Sequence, residues 1–277
     1  MTNLKQIVKN ARKIPNLLAK GHVVNEFVLK QLRIHPPDCI REQSVVVETQ
    51  TGVSLRFIAN QHMPLLYTIE EVIGRQCYTK RWDNLASDVK RGGVVIDIGA
   101  NIGIFSIFVS SIYGCKVYAF EMDRFNFEIL KSNVELNSSK CNVNCYNQAV
   151  TAKCGVIKYV HAYDFVGSRV VDQDLDGQDD HLVAVSSTLD DLFQLLAVEE
   201  QVSLLKMDCE GSEYEIILTA DSGVFRKIKR ISLEYHINYA HSQLLLKDMI
   251  GRLRQFYHGV YIEHDELRGN LGMIYAE

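Results

Sequence analysis

Four ionisable side chains end two apolar stretches of this 277-residue chain. Lys206, Asp208 and Glu210 alternate in LLKMDCEGSE, and His236 ends ISLEYH. Alternate residues of an extended strand share a face, so we expect the first three to lie together. Such groups are costly at a strand end unless paired or functional, and carboxylate or imidazole can take up a proton. They form the candidate catalytic group, with Asp208 or His236 as the base and Lys206 and Glu210 orienting the substrate or each other. A structural lysine–carboxylate pair is the alternative.

A second candidate site is the stretch VVIDIGANIGIFSIF, where a short β-branched strand turns into a helix. Asp97 ends the strand, and Gly99, Asn101 and Gly103 follow at alternate positions. Glycine lets the backbone approach a ligand closely, and a helix start offers free N–H groups. The spacing has one glycine too few for a dinucleotide fingerprint, and the acid disfavours pyrophosphate. S-adenosylmethionine, with an ammonium, a sulfonium and no phosphate, fits better beside Asp97.

The next two strand patterns supply the remaining candidate cofactor contacts. Glu121 ends KVYAFE, where an acid can accept hydrogen bonds from both ribose hydroxyls of a bound nucleoside. Met122 follows it, and Gln148 and Ala149 end the third strand pattern, where an adenine ring would be read. The predicted cofactor-binding set is Asp97, Gly99, Asn101, Gly103, Glu121, Met122, Gln148 and Ala149.

The composition excludes several classes of protein. A formal net charge of −4 and a pI near 6.1 argue against a protein that coats nucleic acid or an anionic membrane. The seven cysteines are scattered without Cys-x-x-Cys spacing, so we expect reduced thiols and no zinc site. Neither a signal-peptide pattern nor a membrane-spanning apolar run is present, and we expect a cytoplasmic protein. The oligomeric state stays open between monomer and homodimer.

The patterns around these sites predict an α/β chain. Residues 1–69 are expected to form an extension with helical spacing over 4–32 and two strands about Thr51-Gly52, and residues 70–277 the main domain. We expect 70–89 to be mainly helical, 143–150 to be one strand, an antiparallel pair within 155–187 and a closing hairpin over 259–275. Residues 172–177, DQDLDG, match the start of an EF-hand loop, but Val183 replaces the bidentate glutamate, so we expect a solvated turn.

With these residues in view, the chain resembles the FkbM-type S-adenosylmethionine-dependent methyltransferases. The resemblance rests on EVIGRQCY, VIDIGANIG, VYAFE, TLDDL, LLKMDCEGSE and LEYH in this order, with Met122-Asp123 where the family commonly has proline after the acid. It implies a class I, Rossmann-like fold with a seven-stranded, mostly parallel sheet and an antiparallel last strand. It also implies methyl transfer to a hydroxyl of a sugar, glycolipid or polyketide-like molecule.

Other functions stay open at this point. One alternative is an N-methyltransferase acting on protein or nucleic acid, which would usually carry a proline-and-aromatic motif where this chain has DCEG. Another is a non-catalytic protein that binds S-adenosylmethionine, which would be expected to lose its ionisable strand ends. We expect no nucleic-acid partner and no metal. A magnesium ion bridged by Asp208 and Glu234 is the alternative for the metal.

Overall fold

The computed structural model describes residues 42–60, 64–82, 84–89, 92–161, 168–170, 181–196, 201–237, 242–266 and 269–277. The helical lead-in expected over 4–32 and the EF-hand-like loop 172–177 lie outside these described residues.

Within the described residues, the strands and helices alternate along the chain. The strands are β1 (Glu42–Glu48), β2 (Ser54–Asn60), β3 (Val94–Ile98), β4 (Lys116–Phe120), β5 (Asn142–Tyr146), β6 (Ala149–Val150), β7 (Gly155–Val160), β8 (Arg169–Val170), β9 (Leu182–Ser187), β10 (Val202–Met207), β11 (Ile231–His236), β12 (Val260–His264) and β13 (Leu271–Ala276). The helices are α1 (Leu65–Ile69), α2 (Leu85–Val89), α3 (Ile104–Tyr113), α4 (Arg124–Leu136), α5 (Leu189–Leu195), α6 (Glu213–Thr219), α7 (Ser222–Arg226) and α8 (Ser242–Leu253).

Seven strands form the central sheet in the order β12-β13-β11-β10-β3-β4-β5. β13 is antiparallel to both neighbours, while β11, β10, β3, β4 and β5 pair in parallel. This order and the single reversed strand are those of the class I methyltransferase sheet, so the predicted fold class is confirmed. The order reverses between β3 and β10, and ligands bind at such a switch point, beyond the carboxyl ends of the strands.

Both faces of this sheet are covered. Ile96 and Ile98 of β3 pack in one apolar cluster with α6 and α8, whereas Val95 packs in the other with α3 and the β1–β2 hairpin. Because side chains alternate along a strand, Asp97 falls on the same face as Val95. The sheet buries β3 completely, which explains its unbroken run of apolar residues.

A second sheet with the order β6-β9-β7-β8 lies beside β5, the edge strand of the central sheet. β7 and β9 form the antiparallel pair that the sequence predicts. The single strand expected over 143–150 is divided instead: Asn142–Tyr146 joins the central sheet, and Ala149–Val150 joins the second one. Gln148 therefore lies between the two sheets.

Two asparagines of α4 attach the hairpin to the domain. Asn133 and Asn137 are fully buried, one turn apart, and exchange hydrogen bonds of 2.7–3.0 Å with the backbone of Arg56 and Ile58 in β2. On the same helix Leu130 is buried, while Phe127 and Val134 are partly buried. Two buried amides therefore satisfy the backbone groups along one edge of β2.

The segment expected to be mainly helical over 70–89 is only partly so. A π-helical turn, Glu70–Gly74, follows α1, and turns separate it from α2. The hydrogen bond from Arg75 Nε to Glu70 Oε1, at 2.7 Å, stabilises that turn, and Gln76 has a positive φ of 51°. The helix therefore ends at Arg75, and the following residues form a series of turns.

Among the described residues, no helix is long and apolar enough to cross a membrane.

Candidate active site

The loop between β3 and α3 is held close to the end of β10. Gly99 has a φ of +74°, and a Cβ atom there would lie 1.8 Å from the backbone oxygen of Asp208. Asn101 also has a positive φ, 52°, and its backbone N–H donates to Glu121 Oε2 at 2.8 Å. The buried Oδ1 of Asn101 has no hydrogen-bond donor among the described residues. This acceptor lines the cleft at the switch point, so it fits the ammonium or a hydroxyl of a bound nucleoside cofactor.

Asp97 is buried behind this loop. Ser106 Oγ donates to its Oδ2 at 2.6 Å, and Lys206 Nζ lies 3.0 Å from its Oδ1. Lys206 also donates to the carbonyl of Gly99 at 2.7 Å. Burial lowers the pKa of Lys206, but Asp97 and Asp208 outweigh it and raise the pKa above its usual value. The lysine is therefore charged, and Asp97 holds the cofactor loop through it.

Glu121 is the acid that faces the cleft. Its two oxygens accept hydrogen bonds from the N–H groups of Asn101 and Asp123, each at 2.8 Å. Burial raises the pKa of Glu121 to about 7, although these two hydrogen bonds lower it. A buried carboxylate with an unfavourable charge gains from further hydrogen-bond donors, which the two ribose hydroxyls would supply.

Six of the eight predicted cofactor residues line the cleft, namely Gly99, Asn101, Glu121, Met122, Gln148 and Ala149. Asp97 and Gly103 do not line it. A Cβ atom at Gly103 would lie 2.4 Å from the side chain of Leu130, so this glycine permits α4 to pack against the start of α3. Further lining residues had no signal of their own in the sequence, namely Phe120, Asn126, Val150, Ser168, Val170, Cys209 and Ser212. Several of them come from the second sheet, whose position along the cleft only the fold reveals.

Three of the four predicted catalytic residues, Asp208, Glu210 and His236, lie together at the cleft. Asp208 and Glu210 line it, and His236 Nε2 lies 3.5 Å from Glu210 Oε2 and 3.9 Å from Glu234 Oε1. β10 ends at Met207, so Glu210 lies in a turn with a φ of +54° rather than in an extended strand. Lys206 instead contacts the cofactor loop.

His236 is surrounded by carboxylates. Burial lowers its pKa, but the hydrogen bond and charge of Glu213, together with Asp208 and Glu210, raise the pKa to about 10. Both oxygens of Glu213 accept backbone N–H groups, from Cys209 at 2.6 Å and from Gly211 at 2.8 Å. An imidazole with this pKa is protonated at neutral pH and donates hydrogen bonds.

Tyr78 is a site residue to which the sequence gives no role. Its hydroxyl lies 2.8 Å from Asp208 Oδ2 and 3.3 Å from Glu234 Oε2, and its ring lies 5.1 Å from Lys206 Nζ. The motif EVIGRQCY contains this tyrosine, but its contact with a strand end far along the chain depends on the fold.

One group of side chains here could hold a metal. Single ligand atoms of Asp208, Glu210 and His236 lie within 4.8 Å of one another. The sequence suggested Asp208 and Glu234 as the alternative pair of metal ligands. The structure instead groups Asp208 with Glu210 and His236. A metal would have to displace the proton from His236, because the surrounding carboxylates raise the pKa of that imidazole to about 10. The absence of a metal therefore stays a prediction.

The strand order and the cleft beyond β3 and β4 define an S-adenosylmethionine-dependent methyltransferase of class I. Residues 97–262, more than half of the chain, match the family described as the methyltransferase FkbM domain, and the chain belongs to this family. It is 21% identical over 208 residues to the methyltransferase sdnD of Sordaria araneosa, covering 65% of this chain and 78% of that protein.

Two solved structures show a distant likeness. An rRNA methylase from Streptococcus thermophilus is 11% identical, with a TM-score of 0.45, over 70% of this chain and 92% of the methylase. The N-terminal domain of human METTL16, in complex with S-adenosylhomocysteine, is 17% identical, with a TM-score of 0.40, over 77% of this chain and 68% of that domain.

Proposed function

We propose that this enzyme methylates a hydroxyl oxygen of a small sugar, glycolipid or polyketide-like acceptor in the cytoplasm. The observation that carries the proposal is one group of side chains at the cleft: two carboxylates that line it, Asp208 and Glu210, beside a protonated His236. Carboxylates accept hydrogen bonds from hydroxyls, and this mixture of charges suits a neutral polyol. Scattered free thiols suit a reducing compartment.

The charge of the site argues against a nucleic-acid acceptor. Glu213 and Glu234 lie close to His236 as well as Asp208 and Glu210, so four carboxylates surround one imidazolium. Lys206, at the end of β10, is paired with Asp97. Phosphate groups would be repelled from such a surface, whereas proteins bind nucleic acid through lysine and arginine. An amine acceptor is the second candidate, because a cation would be attracted to the same carboxylates.

In the reaction, S-adenosylmethionine supplies an electrophilic methyl group on sulfur. Asp208 would accept the hydroxyl proton of the acceptor as its oxygen bonds to the methyl carbon, while the bond from that carbon to sulfur breaks and S-adenosylhomocysteine leaves. His236 is already protonated, so it donates a hydrogen bond and fixes the acceptor beside Glu210. We therefore favour Asp208 over His236 as the base. Glu121 and Asn101 would hold the ribose and the amino-acid end of the cofactor.

The test uses S-adenosylmethionine with a tritiated methyl group. Methyl glycosides and hydroxylated macrolactones are compared with matched amino sugars, uronic acids and a short RNA. We expect label on the neutral hydroxyl acceptors, with the uronic acids at least about tenfold poorer because of charge repulsion. Label confined to RNA would refute the proposal, and label confined to the amines would favour the second candidate.

Two variants test the assigned roles. Asp208→Asn should reduce kcat by about 10²- to 10⁴-fold, the usual contribution of a general base, with the Kd for S-adenosylhomocysteine unchanged. His236→Gln should also lower kcat. Glu128→Gln, at an exposed carboxylate paired with Lys131, is the matched control and should have no effect. Full activity in both site variants would exclude the assigned roles.

A further inference from the structure

We propose that Tyr78 is a positioning residue that fixes the carboxylate of Asp208. It comes from the segment that precedes the matched FkbM domain. The proposal rests on the proposed function for the role of Asp208, but the contact itself can be tested without methyl transfer.

The phenol of Tyr78 is aimed at the strand end. Its O–H has one hydrogen, and the 2.8 Å distance to Asp208 Oδ2 makes Asp208 the better acceptor than Glu234 Oε2 at 3.3 Å. The side chain is buried, and its ring packs edge-on against Phe105 of α3, with centroids 5.4 Å apart. Lys206 lies over the same ring. The phenol therefore has little freedom to leave the carboxylate.

The backbone around Tyr78 is attached to the central sheet. The carbonyl of Tyr78 accepts a hydrogen bond from Ser232 Oγ of β11 at 2.8 Å. Trp82 Nε1 donates to the same Ser232 oxygen at 2.8 Å, and Tyr275 of β13 donates to the carbonyl of Cys77 at 2.6 Å. These three contacts fix the segment on β11 and β13, and β11 also carries Glu234 and His236 of the site. Tyr78 thus transmits the position of the sheet to Asp208.

The contact serves the chemistry through orientation. A carboxylate rotates freely about its terminal torsion unless a partner holds one oxygen. With one oxygen accepting from Tyr78, Asp208 presents a defined orientation to the cleft that it lines. Misplacing a catalytic group by about 1 Å can reduce turnover about 100-fold. The hydroxyl of Tyr78 does not line the cleft, so it acts through Asp208 and not on the substrate.

The first measurement is the hydroxyl proton of Tyr78 by NMR, in protein labelled with ¹³C at the tyrosine ζ carbon. A phenol that donates to a buried carboxylate gives a downfield, slowly exchanging resonance, which Tyr78→Phe must remove. We expect Asp208→Asn to move this resonance upfield, because a neutral acceptor forms a weaker bond. Tyr257→Phe is the control, since that buried hydroxyl bonds only to the carbonyls of Phe225 and Ile228.

The second measurement is kinetic, with the best methyl glycoside of the panel above. Tyr78→Phe should lower kcat about 10- to 100-fold with the KM for S-adenosylmethionine unchanged. Combined with Asp208→Asn it should add no further loss, because both changes remove the same function. Tyr257→Phe should retain full kcat. If the role of Tyr78 were merely structural, Tyr78→Phe would change the KM for S-adenosylmethionine as well as kcat, or it would add to the loss of kcat in the double variant.

The outcomes separate this proposal from the proposed function. A Tyr78 resonance that Asp208→Asn leaves in place overturns the contact, and this comparison remains decisive even if Tyr78→Phe does not fold. A resonance that moves while no hydroxyl acceptor is labelled supports the contact and refutes the proposed function. Unchanged kcat in Tyr78→Phe refutes the positioning role alone.

Discussion

The titration of Glu121 gives a quantitative test of the cofactor site. Burial raises the pKa of this carboxyl from 4.5 to about 7, while two N–H groups oppose the shift. At pH 7 about half of the unliganded molecules therefore hold a proton on Glu121. Ribose hydroxyls that donate to the carboxylate favour its charged form, so cofactor binding should lower this pKa and release the proton.

The expected size follows from these two values. If the bound carboxyl returns to its ordinary pKa of 4.5, S-adenosylhomocysteine should bind about 70-fold more weakly at pH 5 than at pH 8. This factor corresponds to about 2.5 kcal/mol. At pH 5 nearly every unliganded molecule must lose its proton to bind, whereas at pH 8 most have already lost it. The neighbouring His236, with a pKa of about 10, stays protonated throughout this range.

The assay is calorimetric titration with S-adenosylhomocysteine at pH 5, 6, 7 and 8, in two buffers of different ionisation enthalpy. The buffer pair counts protons, and about 0.9 proton should be released per ligand at pH 6. Glu121→Gln should bind more weakly, with a Kd that is constant over this range. A wild-type Kd as flat as that of the variant, or no proton release at pH 6, would refute the reasoning.

Three further predictions concern the loop and its support. Gly99→Ala should abolish cofactor binding or folding, because its Cβ would lie 1.8 Å from the backbone oxygen of Asp208. The control is Gly114→Ala, at a similar φ of +73° but with open space around the Cβ; it should lower the free energy of unfolding, measured by urea denaturation, by only about 1 kcal/mol. Lys206→Met should destabilise by about 3–5 kcal/mol, because it leaves the buried Asp97 unpaired, and adding Asp97→Asn should restore part of that loss. Treatment with EDTA should leave methyl transfer unchanged, because a metal would have to displace a proton from His236, whose pKa the neighbouring carboxylates raise to about 10. Lost activity that manganese restores would contradict this.

The cofactor half of the site was largely predictable from the sequence. Glu121 faces the cleft because the end of each parallel strand meets the switch point, and this follows from strand order alone. His236 lies close to Glu210 for the same reason, since β10 and β11 are neighbours. The positions of residues at the ends of neighbouring strands could therefore be predicted from the sequence pattern alone.

The supporting contacts could not be predicted from the sequence. Tyr78 precedes the core and reaches Asp208 through turns of the 75–82 segment, where a helix was expected. Asn133 has no role in the sequence analysis, yet it is buried against β2 because the hairpin packs there. Long-range packing decides these positions, and local periodicity carries no information about it.

The position of the counter-charge explains why two strand-end acids have different roles. Asp97 and Glu121 both end parallel strands and are both buried, but Asp97 is in register with Lys206 of β10 and forms an ion pair with it. Glu121 has backbone hydrogen bonds and no lysine paired with it in the part of the chain that the structure describes, so its negative charge remains costly until a ligand contributes donors. The lysine within the apolar run LLKM is the sequence signal for such an ion pair, because a buried ammonium requires an acid on the same face. We therefore propose that the acid that lacks such a partner, Glu121, binds the cofactor.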